Sequence, residues 1–569
     1  MTDETVVGVE VPFLDVDAEP AGPKIRGSEG SYQVAAGILS SRVAGLIREI
    51  AISGFLGVGP VADVFKASLR IPNLLQNLLG EGVLSASFIP VYSRLLEEDE
   101  EKANELAGKV LGLLLTVMAA VVFIGIVFAR PLTKIITPGF EGAELDLAVT
   151  LLRIMFPGIA FLVLSAFCTG ILNSHRRFFL SYASPVMWNA TQIVFVVTAG
   201  IYLGEGHEVG IAHALAWGVL VGAILEVAIQ VPSVRKLMHG GKIAIDTKSP
   251  DVRDVVSRFI PVVVGRGATQ ILGYFDLLLA SLLALGGVSA LTYSQVLYLL
   301  PISLFGMAIA AAELPELSRL GASAREVIRE RLHFGTERIT FYVAFTTAIY
   351  LCAGDVIVGL LLQRGQFTAD DTTVVWFTVA TFALGLLATT RSRLLGNGLY
   401  ALDRPKLVAR IAVMSDVMAA ILGMFLMFPL DRFAVIDGKI QQVAPMGFRP
   451  LPDSIRLTAE HPHLGIVGLA LGASISAWVE YFVLRGAIGW RVGALPRMGQ
   501  GARWSIYAAV ATGVLAAGLR AQTMDSPSLV AAVVVLVPST AVYFLITYVM
   551  QVPEAHQLVG AVRRRLPGH

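Results

Sequence analysis

About fourteen stretches of some 20 apolar residues follow one another with only short polar links between them, and no other feature constrains the fold as strongly. A bilayer core about 30 Å thick is crossed by roughly 20 helical residues. The runs near 33–57, 64–93, 105–129, 147–172, 179–203, 210–233, 259–285, 289–315, 336–362, 373–400, 407–429, 464–487, 503–520 and 528–550 therefore read as transmembrane helices. With 55% hydrophobic and 15% charged residues, and a mean hydropathy of +0.70, a chain of 569 residues is too apolar for a soluble fold. Barrel strands alternate apolar and polar positions in short segments, and these runs do not. The expectation is an all-α polytopic membrane protein.

Lys and Arg collect in alternate links: Arg176 and Arg177; Arg235 to Arg258; Arg319 to Arg331; Arg404 and Lys406; Arg491 and Arg497; and the tail at Arg563 to Arg565. The positive-inside rule puts these links and both termini in the cytoplasm, as an even number of spans requires. The outside loop from Asp431 to His463 carries four basic residues, an exception that its length tolerates. Residues 1–30 are acidic, lack the basic start and apolar core of a signal peptide, and read as a disordered cytoplasmic tail. Cys168 and Cys352 sit in apolar runs without metal-ligand spacing, so they read as packing residues and no disulfide is expected. The net charge of +1 calls for no nucleic-acid partner.

An internal repeat is visible where Ile89-Pro90-Val91-Tyr92-Ser93-Arg94-Leu95 matches Leu314-Pro315-Glu316-Leu317-Ser318-Arg319-Leu320, and again where Asn173 to Phe178 matches Tyr400 to Pro405. Six spans separate the copies, so the repeats are parallel. Two six-helix lobes, 31–240 and 250–490, with a cavity between them, are how such repeats build alternating-access transporters. Two further spans at 500–552 and a basic tail at 553–569 lie outside the repeat.

The first two spans are unusually polar for their depth. Arg42, Arg48 and Glu49 fall in the first, and Asp63, Lys66, Arg70, Asn73, Gln76, Asn77 and Glu81 at or within the second. A charge at a helix centre costs at least about 2.5 kcal/mol on insertion scales, so the cluster implies an interior cavity, mutual pairing, or both. The planar donor fork of Arg suits phosphate, which makes a pyrophosphate-bearing substrate the natural guess. The structural alternative is snorkelling, with Arg48 paired to Glu49 or Asp63 to Lys66. The seventh span carries Arg266, Gln270 and Asp276; read as one helix, it sets Asp276 some 15 Å beyond Arg266. Asp276 reads as a proton or sodium site, with Asn397 or Asp416 as co-ligands, or as part of a packing salt bridge to Arg266. Nucleotide-binding and common hydrolase motifs are missing, so the chain reads as a transporter and not an enzyme, driven by an ion gradient, the membrane potential or a substrate gradient.

The segments SRVAGLIRE (41–49), GVGPVADVF (57–65) and RIPNLLQNLLGEGVLSASFIPVYS (70–93), with ILNSHRRF (171–178), LLQRGQFTADD (361–371) and GLYALDRPK (398–406), resemble the MurJ/MviN family of lipid II flippases. The similarity covers about residues 35–490. It implies membership of the multidrug/oligosaccharidyl-lipid/polysaccharide exporter superfamily in a bacterial inner membrane. The implied cargo is lipid II, the undecaprenyl-pyrophosphate-linked peptidoglycan precursor, moved from the cytoplasmic to the periplasmic leaflet. The family's cavity arginines fall on Arg42 and Arg48, its acidic residue opening the second span on Asp63, and its acidic residue in the seventh span on Asp276, with Na+ or H+ as the coupling ion and no other cofactor. Two family positions depart: an arginine expected after IPNLL is Gln76, and one expected in the eighth span is Val296, beside Gln295. Arg70 or Arg266 is the available substitute. The resemblance also implies a groove in the last two spans for the lipid tail. A related polyprenyl-pyrophosphate glycolipid as cargo, a cation-drug antiporter, and a non-transporting scaffold for cell-wall synthesis proteins are the rival readings.

Overall fold

The computed structural model describes residues 28–238, 242–272, 274–306, 325–524 and 526–563, with backbone alone at 28–36, 38, 81, 265–272, 306 and 561–563. The acidic stretch up to residue 27, the second copy of the Leu-Pro repeat at 314–320 and the tail from 564 lie outside the described residues. Lipid offers the backbone no hydrogen-bond partners, so apolar runs satisfy their own N–H and C=O groups as helices. The order is α1 (Ser28–Leu56), α2 (Pro60–Leu79), α3 (Glu81–Glu98), α4 (Glu100–Val127), α5 (Ala129–Ile136), α6 (Gly142–Ser174), α7 (Phe178–Leu203), α8 (Glu208–Leu237), α9 (Pro250–Leu272), α10 (Phe275–Ala280), α11 (Gly287–Pro301), α12 (Arg325–Leu362), α13 (Ala369–Ala401), α14 (Pro405–Leu430), α15 (Asp453–Arg456), α16 (Gly465–Val492), α17 (Gln500–Gln522), α18 (Ser528–Val549) and α19 (Pro553–Arg563). A π-helical turn, Ile302–Gly306, extends α11.

Among the described residues, twelve helical segments are long and apolar enough to cross a membrane, with 60–98 counted as one. The polar α1 and α9 are not in that set. The second span is two helices, because α2 ends at Gly80, where a Cβ would meet the Gln76 carbonyl at 2.4 Å. The seventh span is also not the single helix expected: α9 ends at Leu272 and a separate short α10 carries Asp276. The sequence between them is Gly273-Tyr274, and Gly is a poor helix former.

Helices α1, α2, α6, α7 and α8 pack with one another, and α12, α13, α14 and α16 form a second group against which α17 is laid through α12. The links at 175–177 and 402–404 have the same geometry. Arg176 and Asp403 take positive φ, 58° and 55°. Arg177 N–H returns to Leu172 O as Arg404 N–H returns to Leu399 O. Helix α9 lies against α3 and α2 of the first group. It is approached by a strap at 242–246 that crosses α4 where Gly108 and Gly112 leave room: a Cβ at either would meet a strap carbonyl at 2.3 Å.

The end of the molecule bearing residues 57–59, 281–286, 363–368 and 431–464 is called here the loop end, and the opposite end, with the Arg- and Lys-rich links, the basic end. At the loop end, residues 433–442 form a hairpin, β1 (Phe433–Ile436) with β2 (Lys439–Gln442), turning on Asp437-Gly438, both at positive φ. There Gln366 N–H donates to Gly54 O at 2.9 Å, Arg456 to Gly139 O at 2.7 Å and Tyr293 OH to Gly57 O at 3.2 Å, tying the two helix groups together. At the basic end α3 and α9 are joined by an exposed pair, Arg94 with Asp251 and Asp254, at 3.9 Å.

Candidate functional site

The polar residues of α1 and α2 are brought together as a buried charge cluster. Glu49 accepts from Arg48 at 2.7 Å and from Lys66, one turn and a helix away, whose side chain is almost fully enclosed. Arg48 also lies over the Trp188 ring of α7, 5.1 Å from its centroid, and Lys66 over the Tyr293 ring of α11 at 4.7 Å. Two cations against one carboxylate leave the cluster positive, and the buried Arg48 Nε has no partner. The Arg48–Glu49 pair expected as one structural alternative is present. Asp63–Lys66 is not: one helical turn apart, they point to different partners, because Asp63 reaches across to α11. Its carboxylate accepts from Gly286 N–H at 2.8 Å and Ser289 N–H at 2.7 Å, where unsatisfied amides and the helix dipole favour an anion.

Arg42 is exposed, 14 residues from either end of α1 and so about 21 Å from each at 1.5 Å per residue. It lines a cavity of about 300 Å³ with Gln76, Trp188, Asn189 and Glu226. Arg48 therefore forms the cavity's neighbour through Trp188. Glu226 and Gln230 were not among the expected residues. In α8 they anchor a buried network in which Ser165 donates to Glu226 at 2.7 Å and Gln230 donates to Ser165 and Ser184 at 2.7 and 3.1 Å. A lone carboxylate inside an apolar run was the available signal.

A second cavity, about 350 Å³, brings Asp276 of α10 together with Asp416 of α14 and with Glu480 of α16, which sequence reasoning missed. Ser415 bonds Ser476 at 2.9 Å and reaches Glu480 at 3.4 Å. Asn397 is not in this lining: α13 contributes Phe382 and Thr389, and Asn397 lies two turns further on. Among the described residues no three carboxylate, His or Cys side chains converge closely enough to hold a metal ion. Arg70 lines neither cavity, but its Nη2 donates to Gln295 Oε1 at 2.7 Å, and Gln295 is part of the acidic lining. Asn73, half-buried on α2, lines neither cavity, and the side chain of Arg266 is outside the described residues.

Outside the spans, Asp431 after α14 accepts from Ala284 N–H at 3.2 Å, and its carbonyl receives His463 Nδ1 at 2.6 Å. Burial pushes the Asp431 carboxyl up to about 7, against the opposing pull of the Ala284 amide and of Arg432 and Arg456. Burial pushes the His463 imidazole down.

The family model described as "Lipid II flippase MurJ" matches residues 52–435, two thirds of the chain. A probable lipid II flippase MurJ of Rhizobium tropici is 32% identical over 408 residues, 69% of this chain and 74% of that protein. The lipid II flippase MurJ of Burkholderia cenocepacia is 28% identical over 523 residues, 90% and 95% of the two chains. A solved lipid II flippase MurJ in an inward closed conformation superposes with a TM-score of 0.70 at 19% identity, over 93% of this chain and all of that one. An inward-facing multidrug resistance MATE family transporter of the MOP superfamily gives 0.62 at 14%, over 82% and 98%. The chain is a membrane-spanning protein that belongs to the MurJ family.

Proposed function

We propose that the protein flips lipid II by alternating access, taking the pyrophosphate headgroup from the leaflet at its basic, cytoplasmic end and releasing it at the loop end. The observation that carries this is the placement of Arg42: an exposed cation at mid-helix inside a polar cavity, while among the described residues Asp63, Tyr293 and Gln366 make buried or partly buried ties at the loop end. Lipid hydrocarbon does not tolerate such a charge, whereas an interior cavity that receives an anion does. Arg42 presents its fork of donors to the phosphates, and Arg48, oriented by Glu49 and Trp188, supplies the adjacent field. Arg70, hydrogen-bonded to Gln295, is the cation available beside Val296, one of the two positions where the family arginines are missing. The carboxylates of the acidic cavity, Asp276, Asp416 and Glu480, are the ion-responsive element; a proton or Na+ entering there weakens their mutual repulsion and changes how α10, α14 and α16 sit together.

The relatives bear the name of lipid II flippases, and that supports lipid II over other polyprenyl-pyrophosphate glycolipids. Gln76 and Val296 are the observations that favour a different glycolipid. Native mass spectrometry of the purified protein with lipid II and with an undecaprenyl-pyrophosphate saccharide of another type separates the two. Retention of lipid II that falls about tenfold in Arg42→Gln supports the reading. Equal retention by Arg42→Gln, or preference for the other glycolipid, overturns it.

A further inference from the structure

A third cavity, of about 390 Å³, opens on the outer flank of the second helix group, among α12, α13, α16 and the 493–499 link to α17. It uses a separate stripe of α16 from the acidic cavity: Trp478, Tyr481, Phe482 and Arg485 here, against Ala473, Ser476, Ala477 and Glu480 there. Its charged lining is Arg391, Arg485 and Arg497, with His333 and one carboxylate, Glu337. That carboxylate is already engaged, accepting from Gly499 N–H at 2.5 Å with His333 3.6 Å away. Three guanidinium groups therefore line a space that holds one carboxylate, an excess of positive charge.

Arg391 is the least expected of them. It is 4% exposed; it donates through Nη2 to Thr340 and lies 5.7 Å over the Tyr481 ring, but its Nε is buried with no partner. A buried donor without a partner is costly, and one carboxylate does not balance three guanidinium groups, so the cavity is built for an anion. Its depth says which kind. Helix α12 is kinked at Ala353, and the part from Arg325 to the kink, about 28 residues, rises about 42 Å against a hydrocarbon core of about 30 Å. His333 and Glu337 fall in the third and fourth turns from its basic end, near the headgroup level. Phe482, 61% exposed at the rim, and the Trp478–Tyr481–Phe482 cluster offer the amphipathic aromatic surface found at that level.

We propose that this cavity binds the headgroup phosphate of an anionic bilayer phospholipid, with Arg391 Nε, Arg485 and Arg497 as donors and Phe482 against the acyl chains. Arg485 also donates to Leu495 O and Pro496 O at 3.0 and 2.9 Å, so a bound lipid steadies the link that seats α17 on α12.

The test is native mass spectrometry of the delipidated full-length protein titrated with phosphatidylglycerol, phosphatidylcholine or inorganic phosphate. The expected result is retention of phosphatidylglycerol at least about tenfold above phosphatidylcholine, with a rise in melting temperature that phosphatidylcholine does not give. Arg497→Gln, at an exposed position that leaves folding intact, lowers that retention several-fold, and R391Q/R497Q abolishes it. Equal retention of the two lipids, unchanged retention in Arg497→Gln, displacement by millimolar inorganic phosphate, or displacement by lipid II each overturns the assignment.

Discussion

Replacing Asp63 by Asn keeps the shape of the side chain that closes the loop end but removes its charge. The carboxylate, 4% exposed, serves Gly286 N–H at 2.8 Å and Ser289 N–H at 2.7 Å, and an amide has one oxygen for the two donors. Hydrogen bonds to a charged group contribute about 1.5–3 kcal/mol against about 0.5–1.5 for neutral ones, and the helix N-terminus adds up to about 1 kcal/mol for an anion. The closed loop end then loses about 2–3 kcal/mol, a shift of roughly 30- to 150-fold. A 99:1 preference for closure falls to between about 3:1 and 2:3. Spin labels at Glu141 and Lys439, both exposed at the loop end on opposite sides of the seal, report this, with Cys168 and Cys352 replaced. The parent protein gives one short distance; Asp63→Asn adds a longer population of a quarter to three fifths of the molecules. An unchanged distance distribution refutes the assignment of Asp63 to the seal.

Three further outcomes are expected. Gly365→Ala also opens the loop end, since Gly365 has φ +57° and a Cβ there would lie 2.2 Å from Gly54 O; the same labels detect it, and closure in this variant contradicts the contact. Glu49→Gln, which leaves Arg48 and the buried Lys66 without their carboxylate, lowers stability by about 3–5 kcal/mol, and the E49Q/K66M double variant recovers part of it by removing one of the two stranded cations; thermal melts in detergent with no recovery would place the loss elsewhere. Asp431 keeps in the folded loop a proton that the unfolded chain releases near pH 4, so its contribution to stability falls as pH rises from about 4 to about 7. His463 acts in the opposite sense below about pH 6.5, because the folded loop prefers its neutral form. Melting curves of Asp431→Asn across pH 4–8 should lose the decline and keep the His463 rise; a decline that persists assigns the titration to another group.

The all-α membrane-spanning class and the polar character of α1 and α2 were legible because composition carries them; about fourteen spans were expected, and twelve are long and apolar enough among the described residues. Partner choice was not legible. Lys66 and Asp63 sit one turn apart, and only the packing of α1 and α11 around α2 decides that one turns to Glu49 and the other to Gly286 and Ser289. Asp276 and Asp416 were read as a pair and share a cavity, but Glu480 and Glu226, equally isolated in apolar runs, met the same criterion and were passed over. Asn397 was added on sequence order alone, and α13 carries it past the cavity. The break before Asp276 was marked by Gly273, and the loop hairpin by Asp437-Gly438, both local signals that a window of 19 residues averages away.

The most direct test is to deplete the native lipid II flippase of a test bacterium, express this chain or its Arg42→Ala variant at matched levels, and measure lipid II accessible at the outer face of the inner membrane. Restoration by the unmodified chain and failure of the folded variant is the predicted result. Failure of both, with both folded and in the membrane, contradicts lipid II as the cargo.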